Sequence, residues 1–211
     1  MNNMEQNVSE FYNKIQFPAH YTQEDVIKKY GDFYLEGFIS FTYLKHHPKI
    51  LDAGCGTGFT THVISSLRRD AEILGIDFSK GSIKFAKNFS KNHNYPKVRF
   101  ELMDLKNLQL DSKFDLIHSS GVLHHIENPR SIFTNLCKLL EPEGLFILGI
   151  YHNFGRFSTH VRQKIFKLTR GRFKSIDPRI RKENWSDERK QIWLMTNTNT
   201  HMKIVIHTEQ F

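Results

Sequence analysis

Apolar and polar positions change period several times along this chain, and each change marks a predicted element. Lys49 to Ala53 is a short apolar run of strand length, and from Phe59 to Leu67 apolar residues recur at helical spacing instead. Glu72–Phe78 (Glu-Ile-Leu-Gly-Ile-Asp-Phe) predicts a second strand. Ser79 is placed to cap the helix whose apolar face is Ile83, Phe85, Ala86 and Phe89. Val98–Met103 and Phe114–Ser120 predict the third and fourth strands. A helix carrying Ile132, Phe133, Leu136, Leu139 and Leu140 follows, then a Pro142-Glu143-Gly144 turn and a fifth strand, Leu145–Tyr151. Strands alternating with helical patterns imply βαβ units and a parallel sheet.

The flanks read differently. Residues 1–48 predict a helical cap: Thr22-Gln-Glu-Asp25 resembles a capping box, and Val26, Ile27, Tyr30, Phe33, Tyr34, Phe38, Phe41 and Leu44 make one apolar–aromatic face behind it. Ahead of it, Tyr12, Phe17, His20 and Tyr21 flank Pro18 in a predicted loop. In residues 152–211, Val161, Ile165, Phe166 and Leu168 amid Arg162, Lys164, Lys167 and Arg170 suggest a basic amphipathic helix. Lys203–Thr208 is strand-like. We therefore expect a single domain over 1–211, divided into a cap (1–48), an α/β core (49–151) and a basic, mainly helical region (152–211).

Chemistry concentrates in the turn after the first strand, where Gly54, Gly56 and Gly58 stand at every second position. A dinucleotide fingerprint, G-x-G-x-x-G, would need glycine at position 59, and that residue is Phe59. A nicotinamide-dependent oxidoreductase is thereby disfavoured. Asp52 ends the strand where a cationic group can be held. Asp77 lies 25 positions further on, near the interval at which βαβ folds place a ribose-binding acid.

The run Asp52-Ala53-Gly54-Cys55-Gly56-Thr57-Gly58 resembles motif I of the class I S-adenosylmethionine-dependent methyltransferases. Gly121-Val122-Leu123-His124-His125, with Pro129 after it, resembles that family's motif IV, and Leu140-Glu141-Pro142-Glu143-Gly144-Leu145 its turn before the fifth strand. The resemblance covers residues 49–151. It implies an α/β fold with a Rossmann-like, doubly wound, mostly parallel sheet and an N-terminal helical cap. The family's sheet ends in an antiparallel strand pair, and here the single strand-like run after Tyr151 departs from that, so we expect the pair to be shortened or unusually built. S-adenosylmethionine is the implied cofactor, with S-adenosylhomocysteine as product and no metal. Gly54, Gly56 and Gly58 would let the backbone meet the methionine portion, with Asp52 near its ammonium and Cys55 a small side chain tolerated near the ligand. Asp77 would take the ribose, with Phe78 beside it among the cofactor-binding residues, Asp104 and Leu105 the adenine, and Ser120 and Gly121 would border the sulfur. His124 and His125 are candidate general bases. Tyr12, His20, Tyr21, Tyr151 and His152 are candidate lid or pocket residues.

Composition narrows the setting. A chain of 211 residues with 39% hydrophobic residues suffices for one core. It has no apolar run of 18 or more, and Met-Asn-Asn-Met-Glu-Gln lacks the layout of a secretory leader. Cys55 and Cys137 are far apart with no C-x-x-C partner, so we expect neither a zinc site nor a disulfide, and a cytoplasmic location. The net charge of +8 resides in residues 156–190, which hold 12 Lys/Arg and 4 Asp/Glu, leaving 18 of each sign elsewhere. A small-molecule acceptor (quinone, lipid or secondary metabolite) is the favoured partner. An RNA or protein methyltransferase gripping through the basic segment is the enzymatic alternative. A non-catalytic cofactor-binding module is the other, and the sequence leaves the oligomeric state open.

Overall fold

The computed structural model describes residues 21–31, 44–151 and 201–207. The chain divides into two compact units, one comprising 1–149 with 203–211 and the other 150–202. Most of the second unit, including the basic segment 156–190, His152 and the predicted amphipathic helix, lies outside the described residues, as do Tyr12, Phe17 and His20.

The first described helix, α1 (Gln23–Gly31), starts as its sequence predicts. Thr22 N donates to Asp25 Oδ2 at 2.8 Å, and Asp25 N donates back to Thr22 Oγ1 at 3.2 Å. Two otherwise orphaned donors are thus satisfied reciprocally. Then come β1 (Lys49–Ala53), α2 (Phe59–Leu67), β2 (Glu72–Asp77), α3 (Lys80–Asn92), β3 (Val98–Leu102) and β4 (Phe114–Ser120). Helix α4 (Pro129–Cys137) leads into β5 (Leu140–Tyr151), and β6 (His201–His207) is the last described strand.

These strands form one sheet in the order β3-β2-β1-β4-β5-β6, with β1 through β5 parallel. The order reverses direction between β1 and β4, the point at which open α/β sheets leave a crevice at their strand carboxyl ends. Alternation along each strand separates two cores. Ile50, Ile73, Phe100, Leu116 and Ile147 pack with Val63 and Ile64 of α2, Ile83, Ala86 and Phe89 of α3, and Val26 of α1. Leu51, Ala53, Leu74, Ile76, Ile117 and Phe146 face the other way, against Ile132 and Leu136 of α4. The sheet is therefore doubly wound, as expected.

Three details differ from the sequence reading. Leu139 and Leu140 are not the end of a helix: α4 stops at Cys137, and Leu140 already pairs with Phe114 in the sheet. The Pro142-Glu143-Gly144 turn lies within β5, whose register jumps from Phe114↔Leu140 to Leu116↔Leu145. Glu143 occupies the left-handed region there (φ 62), so the run is a bulge in a strand already begun. At the other edge of β5, β6 occupies the position that a family strand pair would fill. Its range shifts the predicted Lys203–Thr208 run by two residues at its start and one at its end.

Asp115 answers a local need at the bottom of the sheet. Its Oδ2 accepts from Lys49 N at 2.8 Å, and its Oδ1 pairs with Lys45 Nζ at 2.8 Å, so an acid in an apolar run closes the start of β1. Gly75 answers a steric one. A Cβ built there would stand 2.6 Å from the Phe100 ring, which crosses over Gly75 and also lies 2.6 Å from where a Cβ of Gly58 would be. Gly75→Ala should accordingly cost about 1–3 kcal/mol in urea unfolding, and the cost should shrink when Phe100→Leu is made in the same chain.

Candidate active site at the strand carboxyl ends

The turn between β1 and α2 is built by glycine for two distinct reasons. Gly54, Gly56 and Gly58 have φ of 82°, 56° and 82°, in the left-handed region closed to most side chains. At Gly54 space is also denied: a Cβ would come within 2.4 Å of the Val122 side chain, so the stretch after β4 lies against the loop. The loop is tied to the neighbouring strand, because Gly54 N and Cys55 N both donate to Ile76 O, at 2.8 and 3.0 Å. Gly58 then serves as the N-cap of α2 and offers no side-chain oxygen to the first helical turn. Cys55 is buried beneath the loop, and burial pushes its thiol well above the ordinary range, with Asp52 and Asp77 adding to the rise.

Asp77, at the tip of β2, joins loop to strand. Its Oδ2 accepts from Gly56 N at 2.9 Å and its Oδ1 from Ser79 N at 2.8 Å. Burial raises its carboxyl above the usual range, the N–H groups of Ser79 and Gly56 pull it back, and Asp52 pushes it up again. Ser79 is the helix cap anticipated for α3, its hydroxyl accepting from Ser82 N at 3.3 Å. Phe78 beside Asp77 is 43% exposed, unusual for so large an apolar side chain.

Asp52 is more deeply enclosed. Its residue is 2% exposed, and each carboxylate oxygen already has a protein donor: Thr61 Oγ1 at 2.5 Å on Oδ2, and His118 Nδ1 at 2.9 Å on Oδ1. The pairings of β1 to β5 put Phe100, Gly75, Asp52, His118 and Ile147 in one row across the sheet, one step below the tips.

The other predicted residues surround the same end of the sheet. Asp104 is exposed and caps a 3-10 turn over Leu105–Asn107, its Oδ1 accepting from Lys106 N at 3.0 Å, while Leu105 is buried in the second core. Ser120 ends β4 and Gly121 follows at φ 78°, with Gly121 N donating to Gly149 O at 2.9 Å. Gly149 is pressed against Ser120: a Cβ on it would lie 2.1 Å from Ser120 Oγ. His124 and His125 sit half-buried in the 3-10 turn Leu123–His125, their rings 4.0 Å apart. Tyr151 closes β5, and nothing is described of its side chain.

Residues 44–199 match the protein family described as "Methyltransferase domain". The chain belongs to that methyltransferase family. A malonyl-[acyl-carrier protein] O-methyltransferase 2 of Ilyobacter polytropus is 33% identical over 129 residues, covering 61% of this chain and 45% of that protein. A ubiquinone biosynthesis O-methyltransferase of Coxiella burnetii is 30% identical over 107 residues, 50% of this chain and 44% of that one. The chain thus spans less than half the length of these curated relatives. Among solved structures, magnesium protoporphyrin IX methyltransferase of Synechocystis PCC 6803, with bound SAM, superposes at a TM-score of 0.55. It is 17% identical and covers 72% of this chain and 78% of that one, a likeness of fold.

Within this methyltransferase fold, Tyr21, a lid candidate, makes contacts that the sequence alone does not foresee: its hydroxyl donates to Thr57 O of the glycine loop at 2.8 Å and lies 2.8 Å from His62 Nδ1. With the phenolic hydrogen on that carbonyl, His62 Nδ1–H donates to the phenol oxygen. Nε2 then accepts from Ser90 Oγ at 2.7 Å. The ring packs among Phe59, Phe85 and Phe89, so Tyr21 braces the loop from the helical side. Thr61, His62 and His118 were also unforeseen, although His118 carried a signal as a polar residue inside the apolar run of β4.

His62 is fully buried, and desolvation lowers its pKa from 6.5 to about 4, the Gly58 backbone and Asp52 opposing that shift. The unfolded chain therefore takes up a proton below pH 6.5 that the folded chain refuses until about pH 4. Folding stability should fall on acidification through this window, by about 2 kcal/mol at pH 5 relative to pH 7.5. Urea midpoints against pH measure the slope, and His62→Gln should flatten it.

Proposed function

We propose that this chain is an S-adenosylmethionine-dependent methyltransferase acting on a small organic acceptor. The observation that carries the reading is the junction of Asp77 with the glycine loop. A half-buried carboxylate at the β2 tip is anchored to Gly56 N, with the exposed Phe78 ring beside it. A carboxylate in that position takes the two ribose hydroxyls, and the bare turn admits the methionine portion to the backbone. The residues suit such a ligand: every side chain but hydrogen is refused at Gly54 and Gly58, where Val122 and Phe100 already fill the space behind.

Bound there, the cofactor supplies a methyl group on a sulfonium, whose thioether is a good leaving group. The chain's own work is to hold two reactants in line and to keep water away. Asp104 and Leu105 would flank the adenine, and Asp52 would lie on the side of the amino-acid end. Ser120 and Gly121 would border the sulfur, with the His124–His125 turn following them in the chain. His124 and His125 are the candidates for taking the proton that the nucleophile loses. Two relatives named as O-methyltransferases support an oxygen nucleophile on the acceptor.

Calorimetric titration with S-adenosylmethionine and S-adenosylhomocysteine tests the cofactor, and radiolabelled methyl transfer into a cell extract tests the activity. Binding without labelled product would leave a cofactor-binding module instead. Asp77→Ala should weaken S-adenosylhomocysteine at least ~10-fold, the scale of losing hydrogen bonds to a charged group. In the unaltered chain affinity should fall as pH drops, because protonated Asp77 cannot accept both hydroxyls. Its raised carboxyl places that loss at a higher pH than an exposed aspartate would. Unchanged affinity in the variant would remove Asp77 from the site.

A further inference from the structure

We infer that His118 and Thr61 are positioning residues which, through Asp52, set the affinity of the site for the cationic amino group of its cofactor. The inference rests on the reading above and extends it to two side chains that touch no ligand in it.

The geometry is a buried clamp. Asp52 is the acid of the central row, and its side chain and that of His118 are 3% and 4% exposed. A carboxylate accepts and cannot donate, so His118 Nδ1 carries the hydrogen in its 2.9 Å contact with Oδ1. Thr61 Oγ1, in the first turn of α2, donates to Oδ2. The two donors come from different elements: His118 from the neighbouring strand in register, Thr61 from the helix packed on this face. Each oxygen thus receives one donor, and the plane of the carboxylate is fixed. A carboxylate cut off from water is costly to bury unless donors of this kind meet it.

Asp52 stands two residues before Gly54, in the strand end that runs into the glycine turn. Low-dielectric surroundings carry its field to the turn, which becomes a seat for a positive group without the carboxylate surfacing. Loss of either donor leaves an oxygen unsatisfied and weakens that field. Neither donor bears on the ribose, which belongs to Asp77.

The test separates the two ends of the ligand. S-adenosylhomocysteine has the amino-acid arm; 5′-methylthioadenosine keeps the nucleoside and thioether but lacks that arm. We expect His118→Leu to weaken S-adenosylhomocysteine ~10-fold, as for one lost hydrogen bond to a charged group, and to leave 5′-methylthioadenosine unchanged. His118→Asn, which returns an N–H near the position of Nδ1, should restore most of the loss. Thr61→Val, nearly isosteric, should show the same selectivity, and it carries the test if the leucine variant does not fold. Equal weakening of both ligands, or of neither, overturns the proposal while leaving the proposed function standing. If the unaltered chain binds neither ligand, the functional reading falls and this inference with it.

Discussion

A carboxylate buried in the middle of a sheet must be met by donors, and Asp52 imposes that condition on everything around it. The strand beside it needs a donor in register, which His118 supplies from β4. The helix above needs one in its first turn, which Thr61 supplies. On the other side of Asp52 the same row has no side chain at Gly75, where the Phe100 ring crosses and reaches the glycine loop. Strand order, helix placement and loop conformation therefore converge on one acid. The hydrogen bonds to a charged group stabilise this arrangement by about 1.5–3 kcal/mol each, whereas leaving one oxygen bare costs a comparable amount.

A second constraint operates on the far side of the loop. Tyr21, just before α1, binds the carbonyl of Thr57, and the chain Tyr21–His62–Ser90 links α1, α2 and α3 through hydrogen bonds inside an aromatic cluster. Burial holds the phenol of Tyr21 in its neutral form by raising it well above the usual range, and holds His62 neutral by lowering it. Both side chains are therefore uncharged at pH 7, which lets the relay lie in the core without a counter-ion. The loop is held from the strand side by Ile76 O and Asp77, and from the helical side by this relay.

The backbone plan was legible in the sequence because its signals are local. Period changes located β1 to β4 and helix α2 to within a residue or two, and the starts of α1 and α3, while Phe33, Tyr34, Phe38 and Phe41 of the apolar face predicted behind Thr22 lie outside the described residues. Phe59 in place of a third spaced glycine separated this turn from a dinucleotide site. Ser79 and Thr22 declared their helix starts by type and position. What escaped depends on partners distant in sequence. Leu140 has the spacing of a helical face, but pairing with Phe114 draws it into β5, a competition that no window along the chain can weigh. Asp52 reads as an acid at a strand tip, and only the fold reveals that Thr61 and His118 occupy both its oxygens. Tyr21 reads as a lid residue in the loop around Pro18, and its tie to the Thr57 carbonyl, 36 residues away, shows only in the fold.

The irregularity between Leu140 and Leu145 has an evolutionary consequence. Phe114 and Leu116, two residues apart on β4, face partners five apart on β5. Residues 141–144 take up the difference, so slack in chain length is confined to a protruding kink beside a sheet otherwise locked in phase. Insertions and deletions should accumulate there among descendants of this chain, since lengthening such a kink adds little entropic cost. The face that carries Ser120 and Gly149 would keep its alignment through those changes.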